Sequence, residues 1–158
     1  NTQVVEEELI GAVETIAFRV ERRAKRVVTV NTGHLRRSIT TVAPVGKKFV
    51  REVGPGVHYG PYVEFGTDPH WPPYEPIRDW VWLNRGKFGF TTPKGRLQRG
   101  KAVEAAVDRI AYMVQRAIAK RGTRPQPYMS TAFAEVFPNT RQVIMVAVRR
   151  ILKRVGGQ

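Results

Sequence analysis

The chain has no cysteine, only three histidines, and about half as many acids as bases, 13 Asp plus Glu against 27 Lys plus Arg. Without cysteine, neither a disulfide framework nor a thiolate metal site is available, which fits an intracellular or virion protein. No run of about 18 consecutive apolar residues occurs, so no membrane span is expected. The first residues, Asn1-Thr2-Gln3-Val4, lack a basic stretch followed by an apolar core, so no secretion signal is expected in them. Catalytic spacing is missing too. Ser38 and Ser130 have no glycine elbow around them, and the glycines at 54, 56, 86, 89, 95 and 100 match no phosphate-cradling pattern. Asp68-Pro69-His70 with Glu75 offers oxygen and nitrogen ligands, but the intervening prolines fix the backbone instead of placing two ligands on one helix face. His34 and His58 border turns, where exposed polar residues are expected. Glu64 has two readings: a general acid with a raised pKa in an aromatic neighbourhood, or a carboxylate that caps a turn or pairs with a base. The second is favoured, because no nucleophile or second carboxylate is tied to Glu64 by spacing. An enzyme is therefore not expected, and neither is a cofactor or a metal.

What is present is one core's worth of chain. At 158 residues, with 42% hydrophobic and 25% charged content, a single folded domain spanning 1–158 is expected. The formal charge of +14 has three readings: contact with nucleic acid, contact with an acidic protein partner, or solubility. Position narrows them. Glu6, Glu7, Glu8 and Glu14 fall early in the first helical pattern and Arg19, Arg22, Arg23, Lys25 and Arg26 at its end, the polarity a helix dipole favours. A second run has no such helix: Arg85, Lys87, Lys94, Arg96, Arg99 and Lys101 follow one another without an acid, interleaved with Phe88 and Phe90. Positive charge with aromatic faces suits single-stranded nucleic acid, while a solvated loop has the same composition. These six residues are the candidate contacts to DNA or an acidic partner.

The element pattern predicts an α+β fold: a small, mostly antiparallel sheet packed by a long N-terminal helix, with inserted and C-terminal helices. Leu9, Val13, Ile16, Val20, Ala24 and Val27 recur at spacings of three and four, which predicts a helix from about Val4 to Val28. At 1.5 Å per residue it would run roughly 36 Å, so it must cross the body or project from it. Strands are expected at Ser38–Val42 and Lys48–Val53, within a meander of three or four, with Gly54-Pro55-Gly56 as a turn. Pro61 should open a short helix and Gly66 stop it. After Trp71-Pro72-Pro73, Ile77, Trp80 and Leu83 share a helical phase, so Trp80 is expected in the core and Trp82, out of phase, facing a partner. Val103, Val107, Ile110, Val114 and Ile118 predict a helix over 102–120, ended by Gly122. Another is expected over Tyr128–Val136. A last one, capped by Asn139, should carry an apolar stripe of Ile144, Val148, Ile151 and Val155.

Two phrases stand out together. Thr32-Gly33-His34-Leu35-Arg36-Arg37-Ser38-Ile39 has the form T-G-x-L-x-x-S-I, and about twenty residues on comes Tyr59-Gly60-Pro61-Tyr62-Val63-Glu64-Phe65-Gly66-Thr67. With the helix before them and Arg124-Pro125-Gln126-Pro127-Tyr128 after them, the chain resembles the tail-completion, or head–tail joining, family of long-tailed (siphovirus-type) bacteriophages. Compact members pass almost directly from the F-G-T phrase to the R-P-Q-P-F phrase, so residues 71–122 resemble an insertion of a longer variant, with a Trp-bearing helix, the basic loop and a further helix. Tyr128 stands where Phe is more usual. The resemblance implies a structural virion protein of the tail or neck, met in the host cytoplasm during assembly. Such a protein is a homo-oligomeric ring subunit, commonly sixfold, between the head connector or adaptor and the tail tube or tail-terminator protein. Genomic DNA passes through the lumen, and no membrane is involved. Tail termination or a minor tail role stays open beside it, as does a basic nucleic-acid-binding protein. Of the phrase residues, Gly33 and Gly66 should allow tight turns, Leu35 and Ile39 should enter the core, and Tyr59, Tyr62 and Phe65 should pack against the sheet.

Overall fold

A 26-residue helix, α1 (Thr2–Val27), opens the fold. Its apolar residues return every three or four positions, and Lys25 and Arg26 close its last turn against the dipole. The β-branched run Val27-Val28-Thr29-Val30 and the left-handed Gly33 (φ 78°) then turn the chain. The computed structural model describes residues 2–156. It divides into two compact units: one takes the chain up to Phe65 and again from Pro125, the other is Gly66–Arg124.

In the first unit, α1 is followed by a single helical turn, α2 (His34–Ser38), and by strands β1 (Ile39–Val42) and β2 (Glu52–Pro55). Helix α3 (Gly60–Phe65) comes next, and α6 (Tyr128–Val136) and α7 (Thr140–Val155) complete the unit. The C-terminal half of α1 packs on α6 and the sheet through Val20 and Ala24, and with Val28 just beyond its end these meet Leu35, Ile39, Tyr128 and Ala132. Ile39 is fully buried, so truncation to Ala there would cost about 2–5 kcal/mol. The N-terminal half carries α7, where Glu8 accepts from Arg154 at 3.1 Å and lies 3.8 Å from Arg150.

The sheet is smaller than the alternation predicts. Two antiparallel strands pair from Ile39 with Pro55 to Val42 with Glu52. Residues 48–51 stay out of it. Their charges go to α1 instead: Lys48 reaches Glu6 at 2.9 Å and Arg51 reaches Glu14 at 2.7 Å, while the Arg51 guanidinium also holds the carbonyls of Lys48 and Val50. Phe49 and Val50 are exposed. Gly54 and Pro55 extend β2 and make no turn, and the ladder ends at Pro55, which has no N–H to give. At the other end of the unit, a 3-10 turn (Phe137–Asn139) runs straight into α7, and Asn139, already in right-handed helical geometry, caps nothing with its side chain. The Thr140 hydroxyl donates to the Phe137 carbonyl at 2.7 Å. Helix α7 is also rotated from the predicted stripe: Ala147 is the buried residue and Ile144 is exposed.

The second unit pairs α4 (Tyr74–Leu83) with α5 (Lys101–Arg121). Val81, Val103, Val107 and Ala111 form its buried centre, flanked by Tyr74, Ile77 and Trp82. The inner face of α4 is thus set by Tyr74, Ile77 and Val81, which reverses the expected roles of the tryptophans. Trp82 is half-buried, whereas Trp80 lies at the rim against Phe88, edge to face at 5.8 Å, and Leu83 is exposed. Helix α5 buries Val103, Val107, Ala111 and Gln115 at a spacing of four, and the Gln115 amide donates to the Pro72 carbonyl at 2.8 Å. The unit begins and ends at one place. Thr67 and Thr123 form an isolated antiparallel bridge, exchanging backbone hydrogen bonds at 3.3 and 3.1 Å. Gly122 (φ 69°) lies so close that a Cβ would sit 1.7 Å from the Thr67 carbonyl oxygen, so only glycine fits.

Candidate functional site

Leu35, Ile39, Tyr59, Val63 and Glu64 of the two phrases meet the start of α6. Leu35 and Ile39 enter the core as expected, and the Ser38 hydroxyl donates to the Leu35 carbonyl at 2.9 Å to close the α2 turn. Thr32 accepts weakly from the His34 N–H at 3.4 Å. A Cβ on Gly60 would lie 2.4 Å from the Pro55 ring, so β2 and α3 touch there through a missing side chain. Tyr128, 2% exposed, donates to the Gly60 carbonyl at 3.4 Å. Beside it, the Gln126 N–H reaches the Val63 carbonyl at 2.8 Å. Pro125 and Pro127 are exposed and lead the chain into α6. Arg124 is exposed, Gly66 (φ 75°) ends α3, and Thr67 joins the bridge of the second unit.

Glu64 is the polar centre of this arrangement. It is 4% exposed and stands at the N-terminus of α6. Its carboxylate accepts from the Met129 N–H at 2.8 Å, the Ser130 N–H at 2.9 Å and the Ser130 hydroxyl at 2.5 Å. Burial pushes the carboxyl upward, but the Ser130 hydroxyl and the N–H groups of Met129, Ser130 and Tyr128 outweigh it and hold the group below the usual carboxylate value. A residue from α3 thus caps a helix more than sixty residues away, and its carboxyl is held low where a general acid would need it raised. Helix α6 supplies no cap of its own, since Pro127 precedes it.

Two of the phrase aromatics depart from expectation. Tyr59 is half-buried against the core, its hydroxyl 3.2 Å from His34 Nδ1. Tyr62 and Phe65, however, are 59% and 73% exposed. Six residues of α3 can turn only one face to the core, and Val63 and Glu64 occupy it.

The basic run folds as a 3-10 turn (Arg85–Phe88) and a small hairpin closed by a bridge between Thr91 and Leu97. Arg85 is buried. Its guanidinium stacks over the Trp82 ring at 4.3 Å and donates to the carbonyls of Trp82 (2.6 Å) and Gln98 (3.1 Å). It therefore fastens the loop and cannot reach an outside partner. Lys87, Lys94, Arg96, Arg99 and Lys101 are exposed. The sequence reading also missed a polar cluster in this unit: Asp108 accepts from Arg78 at 2.7 Å and from the Tyr74 hydroxyl at 3.2 Å. The four-residue spacing of Tyr74 and Arg78 was its only signal.

The histidines serve no shared centre. His34, His58 and His70 are exposed, and His70 Nδ1 donates to the Asp68 carbonyl at 2.9 Å. Among the described residues no group of three His, Cys, Asp or Glu side chains is placed to hold a metal. No helix among them is long and apolar enough to cross a membrane. What the arrangement provides is a fold-determining motif with an exposed aromatic edge.

Residues 2–66 match the family described as "Bacteriophage HK97-gp10, putative tail-component". The match spans α1 to α3 with both phrases except Thr67, and supports the siphovirus tail-completion family that they resemble. The family's description is that of a phage tail component, and the match indicates a coarse structural tail role. Comparison with curated proteins and with solved structures gave no match.

Proposed function

We propose that this HK97-gp10-like chain is a ring subunit that completes the tail and joins it to the head, with the genome passing through the lumen. The observation that carries the reading is the split within the second phrase. Glu64 and Gly60 build the fold, while Tyr62 and Phe65 of the same family-matched stretch are exposed where the core has no use for them. Large exposed aromatics mark docking surface. A closed ring needs two different faces of one subunit to meet, and the first unit offers a second such edge in Phe133 and Phe137, stacked at 5.5 Å and both more than half exposed. The neighbours would be the head connector or adaptor and the tail tube or terminator.

The second unit, in this reading, is the insertion of a longer family variant, and its exposed loop cations contact DNA or an acidic partner ring. The role is assembly, not catalysis. Light scattering with negative-stain imaging at raised concentration, with connector or tail protein added, is expected to show rings. Replacing Tyr62 and Phe65 by Ser should shift them toward monomer without unfolding. Persistent monomers that bind neither neighbour would sink the reading. A purely nucleic-acid-binding role is favoured by the five exposed loop cations; neutralising Lys87, Lys94, Arg96 and Arg99 should then flatten the salt dependence of DNA affinity.

A further inference from the structure

The arginines at the end of α1 do more than complement its dipole. Arg22 and Arg26, one turn apart on α1, and Arg36 from α2 line one surface groove with Phe18, Glu21 and Lys25. All three arginines are exposed, and none has a carboxylate partner among the described residues. The groove's one acid is already engaged: Glu21 accepts from Lys25 at 2.6 Å and from the Thr41 hydroxyl at 2.7 Å. Elsewhere in the unit, Arg23, Lys48, Arg51, Arg150 and Arg154 each have a glutamate. Like charges one turn apart on a helix repel, and dipole stabilisation fades beyond the last turn, so Arg22, outside the last turn of α1, is unexplained by that helix's dipole.

We infer that this groove is a phosphate-backbone site for duplex DNA, a surface distinct from the basic loop. Planar guanidinium forks match phosphate oxygens two at a time. A protein partner would be expected to bring an apolar centre, and here Phe18 is the only apolar side chain lining the groove. One aromatic likewise makes no platform for the successive bases of a single strand. The contact inferred is to the phosphates, which carry no sequence information. The inference rests on the reading that the genome passes along this subunit, and it names the surface that meets it.

The test is fluorescence anisotropy of the full chain with a labelled mixed-sequence duplex, titrated over salt, for the wild type and the variant Arg22→Gln/Arg26→Gln/Arg36→Gln. A control variant, Arg141→Gln/Arg149→Gln/Lys153→Gln, removes the same charge from α7. If each arginine neutralises one phosphate, the groove variant loses about 2.7 from the slope of log affinity against log salt. From about 50 to 200 mM salt the wild type should then lose about 40-fold more affinity than the variant. An unchanged slope, an equal loss in the control, or equal competition by polyglutamate would overturn the site. Circular dichroism and thermal melting confirm that each variant is folded. Ring formation is scored separately, with connector or tail protein added: rings with an unchanged slope reject the groove alone, while a wild type that stays monomeric and binds neither neighbour rejects the assembly reading whatever the slope.

Discussion

A carboxylate with almost no exposure would ordinarily drift toward its neutral form, because burial penalises charge. Glu64 does not, since the Ser130 hydroxyl and the first N–H groups of α6 point at it. Glu64→Ala takes the acceptor from those helix-capping donors, so it should destabilise the protein by about 1–2 kcal/mol, read as a lower urea midpoint at neutral pH. The pH dependence follows from the lowered folded-state pKa. The contribution is complete above the ordinary carboxylate range and is lost as pH falls through the folded value. Wild type and Glu64→Gln should therefore differ most near neutrality and converge in acid. A gap that widens on acidification would mean that Glu64 is held neutral after all. This role was half legible in the sequence: the lack of any chemical partner near Glu64 pointed to a cap, but the helix it caps lies in a distant segment that spacing cannot reveal.

At the scale of elements, what punctuation and period could declare was readable. Pro127 and Gly122 mark boundaries, and the long apolar periods of α1 and α5 leave one solution. Failures came where a side chain's destination depends on tertiary partners. The alternation Phe49, Arg51, Val53 reads as a strand, yet Glu6 and Glu14 draw Lys48 and Arg51 to α1. Small Ala147 sets the face of α7, although a hydrophobicity count gives the weight to Ile144. Arg85 is the clearest case, indistinguishable by type from its five basic neighbours and separated from them by two carbonyls and an indole. Arg85→Gln should therefore cost about 1–3 kcal/mol, from the two lost charge-assisted hydrogen bonds and the lost stacking. Arg99→Gln, at an exposed position, should stay within about 0.5 kcal/mol. Hydrogen exchange over residues 85–98 checks both; equal protection in the two variants would show that Arg85 fastens nothing.

For the molecule as a whole, the bridge between Thr67 and Thr123 carries the consequence. Chain ends that exchange hydrogen bonds at 3.3 and 3.1 Å can be joined by a very short link, because the closure entropy of a loop grows with its length and a short one costs little. The core of the first unit draws its buried residues from α1, α2, β1 and α6. The family match likewise ends at Gly66, one residue before the bridge. If residues 68–122 are an insertion, replacing them with a single glycine between Thr67 and Thr123 should leave a protein that still folds. It should retain helical circular dichroism and a cooperative urea transition, with Tyr128 still protected from solvent in its near-ultraviolet signal. The arginine groove of α1 and α2 would also be kept, so the shortened protein should hold its share of the salt-dependent DNA affinity while losing that of the exposed loop cations. A shortened chain without a cooperative transition would show that the first unit needs the second to fold, and the insertion reading would fall with it.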